Sequence, residues 1–448
     1  MLQSIIFIAV SAVAFGLAAR QFLKIRRNIL LGQPEEITGD SLQRWQNVAL
    51  VAFGQSKMFK RWIPAVLHLF IYVAFVITQV ELIEILIDGA TGIHRFFWPL
   101  LGSLYTFIIS FIEVLSVLAF VGTIIFLIRR NALKIPRFTK AEMKGWPTLD
   151  ANIILYLEVL LIGFIFTMNG ADMALHDNEY GFAVSQFVSP LFEGFSDSTL
   201  HTLERIGWWG HILVVFVFLN YLPFSKHLHI LLAFPNTYYA KLNSRGEMEN
   251  MPEIMNEVKS MMGLIEDTGE MDMEAELPEF GAKDVTGLSW KNIMDAYACT
   301  ECGRCTSVCP ANMTGKKLSP RKILMDIRDR ATDIGLKLDS GNIEYIREDL
   351  KAEGVKLTAE NFDDGKSLFD FISKEELHAC TTCNACVEAC PVLINPLDPI
   401  LKMRRYEILT LSEGPSDWLP MFNSIENSGA VWSMPVERDQ WAKDLANG

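Results

Sequence analysis

Outside two short runs, this 448-residue sequence has no cysteine. A disulfide framework is therefore excluded over most of its length. It has no Gly-x-Gly-x-x-Gly fingerprint for a dinucleotide and no Gly-x-Ser-x-Gly nucleophile elbow. Those absences remove two motif-level grounds for substrate chemistry of its own. Positive charge is short overall: 40 Lys and Arg stand against 53 Asp and Glu, a net −13. That balance excludes a basic, nucleic-acid-binding face and suits a solvated acidic surface. Charge of either sign is scarce in the long apolar runs of the first half, which stop near residue 235.

The cysteines that are present carry the strongest signal. Cys299, Cys302, Cys305 and Cys309 precede Pro310, and Cys380, Cys383, Cys386 and Cys390 precede Pro391. In this spacing three thiolates wrap one face of a cubane, and the fourth ligates the other cluster of a two-cluster ferredoxin. The expected sets are Cys299, Cys302, Cys305 and Cys390 for one [4Fe-4S] cluster, and Cys380, Cys383, Cys386 and Cys309 for the other. Zinc wants four ligands, usually as two spaced pairs. Disulfides would need an oxidising compartment and give no reason for the repeat.

Five apolar runs are each near the roughly 20 residues that cross a bilayer. They lie at about 2–23, 62–86, 98–128, 150–169 and 206–225. The first is followed, not preceded, by its charges Lys24, Arg26 and Arg27, so it reads as an uncleaved span rather than a signal peptide. Lys60 and Arg61, Arg129 and Arg130, the basic 129–147 loop and Lys226 all fall on one side. The 170–204 loop has Asp172, Asp177, Glu179, Glu193 and Asp197 but no Lys or Arg. Positive-inside bias then predicts a multi-pass cell-membrane protein, N-terminus outside and cysteine runs in the cytoplasm.

Clusters beside a membrane bundle need a carrier within the lipid, and haem b held by histidines of facing helices is the expected one. His68 lies in the second span and His211 in the fifth, with His227 and His229 just past it. On a continuous helix His211 and His229 share a face about five turns apart, roughly 27 Å. One haem is expected on His68 with His229 or His227. An outer one on His211 would take His94 as mate, because Thr78 stands where the second span would supply a histidine. His176, His201 and His378 are expected to be solvated. Glu113 and Glu158, central in the third and fourth spans, must be paired, protonated or near water. They are candidates for a proton path to a quinone.

Residues 235–245, through Arg245, carry tyrosines and bases suited to a membrane surface. The 246–285 stretch is acidic and Met-rich, with Lys259 and Lys283 as its bases. Ser319-Pro320 caps a helix over Arg321–Ala331, and further helices are expected at Asn342–Ala352, Lys374–Ala379 and Ile400–Leu411. The fold class is mainly α: a five-helix transmembrane bundle plus an α-helical ferredoxin-like domain. The expected division is 1–235 bundle, 236–288 acidic linker, 289–400 two-cluster module and 401–448 tail.

With these motifs in hand, residues 1–240 resemble the cytochrome b gamma subunit of respiratory nitrate reductase, which has haem ligands on its second and fifth helices. Residues 290–400 resemble the α-helical ferredoxin module of heterodisulfide reductase and of succinate dehydrogenase iron–sulfur subunits. The fusion is similar to membrane-bound heterodisulfide-reductase-like (Fe-S) oxidoreductases, some of which are proposed to link electron transfer flavoprotein to menaquinone. Such proteins continue into CCG domains, whereas no Cys-Cys pair occurs here. The resemblance implies that a CCG subunit, or electron transfer flavoprotein, is a soluble partner. It also implies a relay through two clusters and haem b to a quinone. The competing reading is a membrane anchor whose clusters are structural or redox-sensing, without haem or quinone reactivity.

Overall fold

A computed structural model of the chain describes all residues except 177–179, 245, 266–278, 353, 433–436, 438 and 448. Asp177, Glu179, Arg245 and the middle of the acidic Met-rich stretch lie outside the described residues. Among the described residues there is no β-strand; two isolated bridges join Gln33 to Ser289 and Ile346 to Phe362.

Five helical segments are long and apolar enough to cross a membrane, the number expected. The first, α1 (Leu2–Ile29), outruns its apolar core and carries Arg26 and Arg27 in its last turn. After it, Asp40 caps α2 (Ser41–Asn47) by accepting from Leu42 N at 3.2 Å and Gln43 N at 3.4 Å. The second span is two helices, α3 (Trp62–Ile77) and α4 (Gln79–Thr91), jointed at Thr78. Short α5 (Trp98–Leu101) leads into α6 (Ser103–Asn131). Then come α7 (Trp146–Leu175), α8 (Ser185–Val188) and α9 (Asp197–Tyr221), the last begun by Ser196, whose hydroxyl accepts from Thr199 N. The fourth and fifth spans pack closest. A Cβ on Gly207 would stand 2.5 Å from Met168 N, and one on Gly210 would stand 2.5 Å from the Phe164 ring. Small residues that let helix backbones approach are how apolar helices associate where lipid offers no hydrophobic drive.

The fifth span does not continue to His229. It tightens to a 3-10 turn at Leu222–Phe224, opens at Ser225 (φ −117°, ψ 150°), turns again over Lys226–Leu228, and restarts as α10 (His229–Tyr238). Pro223 cannot donate to the helix ladder, and the Ser225 hydroxyl accepts from His227 N at 3.1 Å instead. The five-turn phase between His211 and His229 therefore does not hold.

Beyond α11 (Pro252–Met261), the cysteine runs sit in a helical module: α12 (Trp290–Tyr297), α13 (Arg304–Val308), α14 (Pro310–Met313), α15 (Pro320–Ser340), α16 (Lys374–His378), α17 (Ala385–Ala389) and α18 (Leu397–Arg405). Ser289 and Ser373 start α12 and α16 with full capping boxes. Ser319 caps α15, as its Ser-Pro signature predicts, though the helix runs to Ser340. Its stripe of Ile323, Ile327, Ala331 and Ile334 is buried. The tail adds α19 (Trp418–Ser428) and α20 (Gln440–Asn447). The helix expected over Asn342–Ala352 is absent. Two 3-10 turns stand there, because the backbone pairs across the module: Arg347 N donates to Asn361 O and Asp363 N to Tyr345 O, both 2.8 Å.

Module and bundle share one core. Ile25 and Leu31 at the end of α1, and Leu228 before α10, are buried among Ile293, Leu318, Ile323, Ile327, Leu377 and Ile400. Asn28 donates to Tyr297 Oη at 3.0 Å, and Lys226 Nζ lies 2.5 Å from Glu301. All these ties are at the end of the bundle where Arg26, Arg129 and Lys226 collect.

Candidate electron-transfer site

The two cysteine runs fold alike. Glu301 and Gly303 in the first, and Thr382 and Asn384 in the second, all take positive φ (51°, 69°, 54° and 60°). These turns coil three cysteines around a common point. At Gly303 a Cβ would crowd the Arg321 guanidinium, and the positive φ favours glycine there, as it favours Asn384 in the second run. α13 packs on α17, and this pairing carries each fourth cysteine to the opposite set. Cys390 and Cys305 each lie within electrostatic reach of Cys302. Cys309 joins Cys380 and Cys383 around Cys386, and these four line one small cavity with Pro310, Leu318 and Ile400. The fold thus brings Cys390 beside the first three cysteines and Cys309 beside the second three.

The donor set fits cubanes better than zinc. A tetrahedral zinc with Zn–S of about 2.3 Å holds its sulfurs roughly 3.8 Å apart. No three of these sulfurs close to within 4.8 Å of one another. Burial pushes Cys299, Cys386 and Cys390 up to about 12. Thiolates there depend on bound metal. Backbone N–H groups aim at the sulfurs: Glu301 N at 3.4 Å from Cys299 Sγ and Ile394 N at 3.3 Å from Cys390 Sγ. Such bonds raise cluster potentials. Cys383 alone of the eight is exposed.

A cavity of about 330 Å³ joins the first set to the bundle. His68, His229, Gln55, Tyr72 and Phe234 line one part, and Cys302, Arg304 and Pro391 another. The His68 and His229 rings are 6.4 Å apart, centre to centre. His68 Nδ1 faces Gln55 Oε1 at 3.1 Å, and His229 Nδ1 faces Lys226 O at 3.0 Å. With both Nδ1 atoms held as donors, both Nε2 atoms are left for a metal. Two imidazoles sharing one iron through Nε2 would stand roughly 6 Å apart, so His68 and His229 are the residues that could hold a haem. Arg129, Arg130, Arg137 and Arg304 give the same cavity a cationic wall, and Arg130 Nη1 and Arg137 Nε are buried without a partner. His227 lies 5.5 Å from the His229 ring, against Phe218, with its Nδ1 unpartnered.

The remaining candidates are placed elsewhere. His211 is buried on α9, its Nδ1 3.2 Å from Leu161 O. His94 is not brought to it: its ring neighbours are His176 and Tyr180, and its Nε2 meets Asp172. Glu113 is fully engaged, accepting from Asn169 Nδ2 at 3.3 Å, Val184 N at 2.6 Å, Ser185 N at 3.1 Å and the Ser185 hydroxyl. Glu158, half-buried on α7, has no hydrogen-bond or ion-pair partner among the described residues. His378 bonds Glu407 at 2.8 Å and packs on Trp418, so it is not the solvated group expected; His176 bonds Asp172, while His201 is exposed. Sequence reading missed Gln55 and the arginine wall. Arg129, Arg130 and Arg137 were legible only as topology markers, because their convergence depends on the module docking over them.

A helical bundle able to span a membrane, topped by a two-cluster cysteine module, defines a membrane iron–sulfur protein of electron transport. Residues 298–394 match the 4Fe-4S dicluster domain family. The chain is 26% identical over 98% of its length to a probable iron-sulfur-binding oxidoreductase, FadF, of Bacillus subtilis. It is 26% identical over 96% of its length to the EtfAB:quinone oxidoreductase of Syntrophomonas wolfei. It spans 60% and 57% of those relatives' lengths. Over 39% of the chain it is 31% identical to a probable membrane-anchored ferredoxin of Chromohalobacter salexigens, covering 26% of that protein. No solved structure matches.

Proposed function

We propose that this chain relays electrons between a soluble redox partner, an electron transfer flavoprotein or a CCG-domain subunit, and membrane quinone, with menaquinone as the expected acceptor or donor. The observation that carries the reading is the cavity shared by His68, His229 and Cys302. Residues of the cysteine module and of the bundle line it together. Cys299, Cys302, Cys305 and Cys390 hold one cluster; Cys380, Cys383, Cys386 and Cys309 hold the other; His68 and His229 hold one haem b, with His227 the neighbouring imidazole. When bound, these groups take up and release single electrons. The protein's own side chains fix imidazole tautomers through Gln55 and Lys226 O and offset anionic propionates with Arg130, Arg137 and Arg304. They also bury four of the eight cysteines, Cys299, Cys309, Cys386 and Cys390. The exposed edge at Cys383 is where a soluble partner would exchange electrons. The module is assigned to the cytoplasm and the N-terminus to the outside, by positive-inside bias. The one name among the relatives that pairs EtfAB with quinone supports this choice of partners.

The test is a dithionite-reduced minus oxidised optical spectrum with iron analysis on anaerobically purified protein. A b-type α-band lost in His68→Ala, with non-haem iron near eight atoms per chain in both proteins, is expected. Full iron without any b-type band would favour the anchor reading instead.

A further inference from the structure

The end of the bundle far from the cysteines holds a second constellation that the relay does not use. His94 precedes α5 in the loop after the second span, and Asp172 and His176 end the fourth span. His94 Nε2 lies 3.2 Å from Asp172 Oδ1, and His176 Nδ1 lies 2.9 Å from the same oxygen. Among the described residues this is the one group of three such side chains whose ligand atoms all fall within 4.8 Å of one another. We propose that His94, Asp172 and His176 form a binding site for a divalent first-row transition ion of the zinc class.

The chemistry of the donors argues for it. A tetrahedral ion about 2.0–2.1 Å from imidazole nitrogen and carboxylate oxygen holds those atoms roughly 3.3 Å apart, close to the two N–O distances here. Two imidazoles with one carboxylate leave coordination positions for water. The two rings stack at 5.8 Å, and Tyr180 closes the side of both. Asp172 does not need the histidines as counter-ions. Its other oxygen, Oδ2, already takes Arg95 Nε at 3.2 Å and Nη2 at 2.9 Å. That leaves Oδ1 for a metal and makes Arg95 the outer support of the carboxylate.

Charge and access agree. Around the single guanidinium of Arg95 stand four carboxyl groups: Glu81, Glu84, Asp88 and Asp172. Glu81 is buried with Oε1 unpartnered. The surplus of acids draws a cation to this end. Asp172 has no exposed side-chain surface, but His94 and His176 are 36% and 35% exposed. A cavity of about 420 Å³ opens beside His94 and Asp88. An ion could enter from water, seat on a rigid acid, and clasp the second-to-third-span loop to the fourth span.

Full-length, iron-loaded protein is equilibrated with zinc chloride alone against a chromophoric chelator, then analysed for zinc and iron, beside the variant His94→Ala/His176→Ala. One tightly held zinc per chain is expected in the parent. The variant should hold it at least a hundredfold more weakly, with iron content unchanged. Zinc should raise the parent's melting temperature and leave the variant's alone, and a tenfold excess of Mg²⁺, which prefers all-oxygen sites, should not displace it. Equal zinc in both proteins, no zinc in the parent, or zinc taken up only as iron is lost would each overturn the proposal. Iron content and the optical spectrum report whether the variant is folded. Both histidines are partly exposed, so removing them leaves the Arg95–Asp172 pair in place.

Discussion

A fully buried guanidinium shows how much single residues bind the two halves together. Arg321, at the start of α15, has no exposed side-chain surface. Its Nη2 donates to Glu142 at 2.6 Å and its Nη1 to Arg137 O at 2.7 Å. Both acceptors belong to the loop between the third and fourth spans. Burial by itself would raise the Glu142 carboxyl, but hydrogen bonds from Arg321 and Ser319 and the Arg321 charge carry it below the ordinary carboxylate range. A carboxyl lowered on folding adds stability that is present above its unfolded value of about 4.3 and is lost as pH falls through the folded one. Glu142→Gln should cost about 3 kcal/mol at pH 7, since breaking a buried pair strands the cation. Thermal melts from pH 7 to pH 2.5 should show a constant gap between parent and variant down to about pH 4.3 and a closing gap below it. A gap independent of pH would mean that the carboxylate charge is not what Arg321 uses. At this scale the cysteines were fully legible, because cluster ligation is written as local spacing. Arg321 was not: it lies inside a correctly expected helix, and nothing local says that it points at another domain's loop.

Elements were legible where one segment decides its own fate. The five spans and α15 follow from apolar length and from a Ser-Pro cap. The break between α9 and α10 begins locally at Pro223 and is held by a distant partner, Asp150, which accepts from Lys226 N at 3.1 Å and from Tyr221 Oη at 2.5 Å, while the loss of the helix at 342–352 follows from backbone pairing with residues 361–363. The two intramembrane acids divide by the same logic. Glu113 on α6 gathers four donors and pins α8 to the third and fourth spans, so it acts as an anchor between elements. Gln offers one acceptor oxygen instead of two. Glu113→Gln should therefore destabilise by about 1–3 kcal/mol, the cost of stranding buried donors, seen as a lower melting temperature. Glu158 makes no hydrogen bond or ion pair among the described residues. Glu158→Gln should leave the melt within about 0.5 kcal/mol and, if the acid carries protons for a quinone, slow quinone turnover. An unchanged turnover with an unchanged melt would remove Glu158 from any proton route.

At the scale of the whole molecule, the proposed relay from clusters to haem would depend on the seam between bundle and module. One backbone bridge crosses it directly after the first span: Gln33 N donates to Leu288 O at 2.7 Å, and Trp290 N donates to Gln33 O at 3.0 Å. Gly32 makes that approach possible. A Cβ there would lie 2.6 Å from Trp290 N, 2.7 Å from the Ser289 carbonyl carbon and 2.8 Å from Leu288 O, all backbone atoms that cannot swing aside. Gly32→Val must therefore push the α12 end of the module away from α1, while no cysteine, histidine or cavity-lining residue is altered. Neither cysteine run nor the His68–His229 pair touches this bridge, and Lys226–Glu301 and Leu228 still hold the His229 segment to the module, so both centres should still load. What should change is the spacing across the Cys302 cavity. Stopped-flow reduction of the membrane protein should then show clusters reduced at the parental rate and the b-type band following at least tenfold more slowly. Parental transfer in a variant with normal iron and haem would mean that this seam does not set the distance between the two halves, and that the shared core of Ile25, Leu31 and Leu228 holds them in register without it.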